Sequence, residues 1–326
     1  MKKENKKYFI SVIVIGHNTK DSLLSLMSSL NNQSFVDFNL IEIIYIDDGS
    51  QDGSVKAFQK LKLNCEKKTV CLKKNMGRVF ATQTGINMAC GKWFFFVRSN
   101  IVLEKNALSE FSKSINRHRG AVAFMGSITY SSSDLAFQNY LNSFKRGINQ
   151  YKHHQKIHYK YLLFGNSMMR SEVFKKLQLN PKMRCYGGEE LDLAEKIYLY
   201  YQKPIRACKK ARAARINHPG FEEHCNRIES FGRYNFEYLS LKNQKLVLGL
   251  GFYLKTLNFL SFVWVGLSWF SKKIYNFSAF QYWTIRLGLF CFLMLGILKS
   301  KRARNSQTPG LPVLLLPTLL VSLQCL

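Results

Sequence analysis

Four short runs of β-branched and aromatic residues punctuate the first hundred positions: Phe9–Ile15, Ile41–Ile46, Thr69–Leu72 and Trp93–Val97. Runs that are apolar on both faces belong inside a sheet covered by helices on both sides. Helical patterns lie between them. Asp21 is placed to cap a helix carrying Leu23, Leu24, Met27 and Leu30, and Asp52 to open one through Val55, Phe58 and Leu61. A third runs from about Arg78 to Ala89. This alternation implies a parallel sheet, whose ligands sit beyond the carboxyl ends of the strands. Those ends are His17-Asn18, Asp47-Asp48-Gly49-Ser50, Asn75-Met76-Gly77-Arg78 and Arg98-Ser99-Asn100. They are polar and mostly small, which is the chemistry of a nucleotide pocket.

The middle third is less regular. Phe164-Gly165-Asn166-Ser167 leads into a predicted helix from Ser171 to Leu177, and Gly187-Gly188-Glu189-Glu190-Leu191-Asp192 into another through Ile197. No internal repeat or low-complexity linker divides the chain. Charge does divide it. Lys and Arg number 48 against 20 Asp and Glu, a formal charge of +28, which predicts an anionic partner. Residues 246–326 carry eight bases and no acid. Two apolar stretches stand there, Thr256–Ser271 and Leu287–Leu298. Extended back to Val247 and Ala279 both reach the roughly 20 residues of a membrane crossing. Lys272-Lys273 and the bases from Lys299 to Arg304 flank them. Spanning, hairpin and interfacial arrangements all fit, and bases on every side leave the orientation open. The expected division is a body, 1–240, and a basic hydrophobic membrane-associated tail, 241–326.

The eight cysteines show no C-x-x-C pair or metal-ligand spacing, so reduced thiols in a cytosolic compartment are expected. The apolar segment after the charged Met1–Lys7 is only seven residues long, too short for a secretory signal. No nucleic-acid-binding motif accompanies the positive charge, and nucleic acid is not expected as a partner. The basic run Lys203–Arg215 reads as a solvated face, or as one meeting anionic head groups or a lipid-linked phosphate acceptor.

Ser11-Val12-Ile13-Val14-Ile15-Gly16-His17-Asn18 and the Glu42–Ser54 block around Asp47-Asp48-Gly49-Ser50 resemble the family 2 glycosyltransferases. The resemblance continues through Asn75–Arg78, Gly85–Lys92, Gly165–Arg170, Gly188–Leu193 and Ile216-Asn217-His218, in order, from roughly Tyr8 to Gly220. It implies a GT-A nucleotide-sugar-binding fold: α/β, a mostly parallel mixed sheet flanked by helices, here followed by C-terminal hydrophobic helices. It also implies a role for each matching residue. Asp48 would accept from the donor base, and Arg78 would face base and diphosphate. Glu190 would be the general base, with Glu189 or Asp192 as substitutes. His218 would lie near the diphosphate. His17, Asn18, Arg98 and Asn100 complete the expected donor-binding set.

One departure stands out. Where the family carries D-x-D, whose carboxylates hold Mg²⁺ or Mn²⁺, this chain has Arg98-Ser99-Asn100. A hard divalent cation prefers anionic oxygens, so the usual ligands are absent and no metal ligand is assigned. Either Arg98 neutralises the leaving diphosphate in the cation's place, or the site has decayed into a non-catalytic binder of nucleotide sugar or glycan. The resemblance implies an inverting transfer from a nucleoside diphosphate sugar to a lipid-linked or saccharide acceptor. The expected setting is envelope or exopolysaccharide assembly at an anionic membrane, on the cytoplasmic face of the cell membrane.

Overall fold

The computed structural model describes residues 8–249, 261–276 and 281–305. The expected buried runs become β1 (Ile10–Gly16), β2 (Ile41–Asp47), β3 (Glu66–Cys71) and β4 (Trp93–Arg98). They alternate with α1 (Lys20–Asn31), α2 (Ser54–Lys60) and α3 (Arg78–Met88). All of β2 is buried, including Glu42, whose carboxylate accepts from the Cys90 N–H at 2.8 Å and from Lys68 Nζ at 2.7 Å. A charge inside a strand is tolerated only when paired in this way.

Sequence reading and structure part company in local chemistry. Asp21 lies in the first turn of α1, whose N-cap is Thr19. Asp52 does the capping instead: Oδ2 accepts from the Lys20 N–H at 2.9 Å and Oδ1 from the Ser54 N–H at 3.0 Å, serving two helix starts. β3 begins three residues earlier than expected, in charged sequence, because it is the edge strand with a wet face. There Lys67 Nζ donates to the carbonyls of Phe58 and Gln59 at 3.0 and 2.7 Å, closing the end of α2.

Beyond β4 come β5 (Ile101–Leu103), α4 (Ala107–Arg117), β6 (Ala123–Tyr130), α5 (Leu135–Asn142) and β7 (Asn166–Arg170). The helix expected over Ser171–Leu177 is a 3-10 turn, Ser171–Lys175. α6 (Glu189–Tyr201), β8 (Ile205–Arg215), α7 (Phe221–Tyr234) and α8 (Leu241–Leu248) follow. The eight strands form one mixed sheet in the order β3-β2-β1-β4-β7-β6-β8-β5. β3-β2-β1-β4 is parallel, and β7 then pairs antiparallel with β4. The basic run Lys203–Arg215 is mostly β8, a strand inside the sheet, with Ala207, Cys208, Ala211 and Ala213 buried. It is therefore not one continuous solvated face.

In the tail, α9 (Ser261–Ile274) and α10 (Gln281–Asn305) are helical, as expected, while 250–260 and 277–280 lie outside the described residues. α10 does not stand apart from the body. Leu293, Met294 and Ile297 join the same core cluster as Phe231 of α7 and Phe94 of β4. Two glycines allow that approach. A Cβ at Gly232 would stand 2.5 Å from the Leu293 carbonyl oxygen, and one at Gly296 only 2.1 Å from that of Glu229. Gly296→Leu is therefore expected to force the helices apart and destabilise the fold by about 1–3 kcal/mol, read from the denaturant midpoint. An unchanged midpoint would contradict the crossing.

Candidate active site

The carboxyl ends of β1, β2 and β4 point the same way and open into one cleft of about 410 Å³. His17, Asp48, Arg78, Arg98, Asn100 and Glu189 all line it. Asp48 is buried, and both carboxylate oxygens are in use: Oδ1 accepts from the Met76 N–H at 2.7 Å and Oδ2 from the Gly77 N–H at 3.1 Å. The carboxylate thereby pins the loop that delivers Arg78 to the start of α3. Gly77 makes that loop possible, with φ +87° and a Cβ position only 2.8 Å from the Arg184 carbonyl oxygen. His17 shares a hydrogen bond of 2.8 Å between Nδ1 and the Asp48 carbonyl oxygen. Asn18, at φ 51°, ties the β1 end to the β2 turn through Ser50 and Gln51 and does not line the cleft.

Two ion pairs cross the cleft wall. Arg78 donates to Glu189, and its guanidinium lies 4.8 Å from the centre of the Tyr186 ring. Arg98 donates to Glu190, which also accepts from the Phe164 N–H at 3.1 Å. Burial alone would raise both glutamates. Arg98, then Arg78, outweigh that for Glu190 and hold it below the usual carboxylate range. Glu189 stays raised, because burial and the Glu190 charge exceed the help from Arg78. Burial opposes the charge on Arg98 too, but the facing Glu190 and Glu189 hold it above its ordinary value. Asp192 lies outside this group: it is paired with Lys196 at 2.6 Å and lines neither cavity.

Glu190 opens onto an adjoining cavity of about 240 Å³, sharing Arg78, Arg98, Tyr186 and Arg215 with the first cleft. His218 lines this second cavity rather than the first, with Nδ1 2.8 Å from the Pro219 carbonyl oxygen. Burial, then Arg215, pushes His218 down to about 4; burial, then His218, pushes His224 down to about 3. Both rings are neutral at pH 7. Unfolded, they titrate near pH 6.5, so the unfolded chain binds more protons below that value. Stability is expected to fall as pH drops from about 6.5 toward 4, and His224→Phe to flatten a plot of melting temperature against pH. A wild-type plot level across that window would contradict it.

Arg184, Tyr186 and Arg227 also line the cleft without having been singled out by pattern, and Arg215 was read only as part of the basic run. Arg215 is the most telling. Its Nε is buried without a hydrogen-bond partner among the described residues, and burial with the nearby Arg98 lowers its affinity for its own proton. Its signal was present, directly before Ile216-Asn217-His218, but submerged in the basic run.

The divalent cation that D-x-D relatives imply does not fit these residues. Arg98 brings positive charge to the position, and Asn100 directs its amide toward the Ile216 carbonyl oxygen at 3.5 Å. Among the described residues, no three His, Cys, Asp or Glu side chains gather to hold a metal. The donor set is that of an anion site: five arginines, 78, 98, 184, 215 and 227, face one cleft.

The family described as Glycosyl transferase family 2 matches residues 11–178. A glycosyltransferase, GlyA, of Streptococcus pneumoniae is 23% identical over 217 residues, 64% of this chain and 30% of that protein. A cholesterol galactosyltransferase of Borreliella burgdorferi is 32% identical over 90 residues, 28% of this chain and 24% of that protein. The chain thus spans less than a third of the length of these relatives. Among solved structures, residues 1–349 of S. aureus TarS in complex with UDP superpose with a TM-score of 0.55 at 16% identity, covering 94% of each chain. A mannosyltransferase of Pyrobaculum calidifontis in complex with GDP-Man and Mn²⁺ superposes at 0.61 and 12% identity, covering 92% of this chain and 89% of that one. These structural likenesses establish the GT-A fold.

Proposed function

The chain belongs to glycosyl transferase family 2, and from that premise we propose that it transfers a sugar, with inversion, from a nucleoside diphosphate donor to an acceptor hydroxyl. The observation that carries the reading is the pair of carboxylates, Glu189 and Glu190, held by Arg78 and Arg98 at the rim of an arginine-lined cleft. UDP, UDP-GlcNAc and GDP-Man occupy the matched structures, and a donor of this class suits a cleft of such charge.

In the proposed reaction the donor diphosphate competes with Glu190 for Arg98. As the guanidinium turns to the phosphate oxygens, Glu190 loses the charge that depresses its proton affinity and becomes a competent base. It takes the acceptor hydroxyl proton as that oxygen bonds to the anomeric carbon and the bond to the β-phosphate oxygen breaks. The nucleoside diphosphate leaves with the electron pair, its charge met by Arg98, Arg78 and Arg215. No step is routed through a metal.

The proposal extends to location. A body, 1–240, and a tail, 241–326, would hold the protein at the cytoplasmic face of the cell membrane, serving envelope or exopolysaccharide assembly. The acid-free tail supports this, as do Phe262, Trp269 and Phe270 exposed on α9 beside Lys272 and Lys273. Among the described residues one helix, Gln281–Lys301, is long and apolar enough to cross a membrane, and half of it is buried against the rest of the protein. A second reading, non-catalytic binding, draws on Arg98-Ser99-Asn100.

The test is a panel of nucleotide sugars assayed on the membrane fraction, with EDTA and with Mn²⁺. Donor consumption that persists in EDTA is expected. Nucleotide binding without turnover would favour the second reading, activity that needs added Mn²⁺ would overturn the role of Arg98, and a chain found only in the soluble fraction would overturn the location.

A further inference from the structure

A cavity of about 400 Å³ opens between β6, the 143–150 loop, the 3-10 turn Tyr159–Tyr161 and α10. Lys145, Arg146, Lys160 and Arg286 line it, and no acidic side chain does. None of the four forms an ion pair among the described residues, and Arg146 Nη1 is buried without a hydrogen-bond partner. Gathering like charges around a concave surface raises their mutual energy unless an anion offsets it. Of the chain's 20 Asp and Glu, none among the described residues lines this cavity.

Aromatic rings hold the cations in place. The Arg146 guanidinium lies 4.3 Å from the Tyr140 ring centre, and Lys145 Nζ lies 5.7 Å from that of Tyr282. Ring faces of this kind also suit the C–H surface of a sugar or polyol. The cavity adjoins the one that contains Glu190, and Ile128, Tyr130, Leu141, Arg146 and Leu163 wall both.

We propose that this cavity is the acceptor site, and that the acceptor is a polyol or saccharide carrying phosphate groups. The inference rests on the transferase reading and adds the class of acceptor to it. A neutral glycan would leave four cations facing one another without compensation. Phosphates seated among Lys145, Arg146, Lys160 and Arg286 would direct the acceptor hydroxyl toward Glu190. Since Tyr282 and Arg286 belong to α10, the C-terminal helix is part of the site.

The test titrates the full chain with a fluorescein-tagged glycerol-phosphate oligomer, with an uncharged oligosaccharide of equal length, and with vesicles of phosphatidylglycerol in phosphatidylcholine. Two variants are compared, the double change Lys145→Gln and Lys160→Gln, and Arg286→Gln. The oligomer is expected to bind in a salt-sensitive manner and to lose about tenfold or more in affinity in each variant. If vesicle binding falls in parallel, the phosphate belongs to a lipid head group; if it is unchanged, the phosphate belongs to a soluble acceptor. Oligomer binding that is indifferent to both variants, or matched by the uncharged oligosaccharide, overturns the proposal. UDP titrated on the same samples separates the two readings: wild-type protein that binds the oligomer but not UDP refutes the transferase, not the phosphate site.

Discussion

Arg98→Ala is expected to lower turnover by roughly 10²–10³-fold, the loss that follows removal of one preorganised donor facing developing charge. The change should also alter the pH dependence, which a merely structural arginine would not do. Glu190 is held low by Arg98 and Arg78 against burial, which pushes it up. Without Arg98, burial gains and the carboxyl retains its proton to higher pH. The acid limb of the kcat/KM profile, which reports the free enzyme, should therefore move to higher pH in the variant. Arg98→Lys should recover part of the rate, since it returns the charge without the planar fork. Turnover and profile both matching wild type would remove Arg98 from the mechanism.

Glu190→Gln should reduce transfer by about 10²–10⁴-fold, the usual weight of a positioned base. Glutamine has nearly the same shape and can still accept from the Phe164 N–H, so the wall of the cavity should persist. The three acidic candidates then separate. Glu189→Gln acts through Arg78 and should appear mainly in KM for the donor. Asp192→Asn removes only a pairing with Lys196 outside both cavities and should leave turnover near wild type. If Asp192→Asn proves as damaging as Glu190→Gln, the assignment of the base is wrong.

The buried strands were readable because β1, β2 and β4 advertise themselves: continuous apolar runs ended by small polar residues have few other solutions. The same logic picked out His17, Asp48, Arg78, Arg98 and Asn100, which meet in one cleft; Glu189, which lines it too, came from the family resemblance. What stayed hidden is relational. Arg98 and Glu190 are 92 positions apart, and no local pattern announces that one neutralises the other. Asp48 was expected to accept from the donor base, yet its oxygens already serve the backbone of Met76 and Gly77. β8 was masked because its lysines and arginines outweigh the small buried residues that make it a strand. The acceptor cavity was invisible for a similar reason, being assembled from segments around residues 125, 145, 160 and 286 that share no motif.

The glycine crossing of α7 and α10 turns two helices into a single brace. One member of the brace carries Arg227 to the donor cleft, and the other carries Arg286 to the acceptor cavity. Backbones in such close contact have no slack, so a tilt imposed on α10 reaches both cavities as a rigid rotation. With the tail docked on a membrane as proposed, the height of Glu190 above the lipid becomes a constant of the molecule. An enzyme on a loose tether searches a volume, whereas one braced in this way works in a single plane. Acceptor hydroxyls would then be chosen by their distance from the surface as well as by their chemistry.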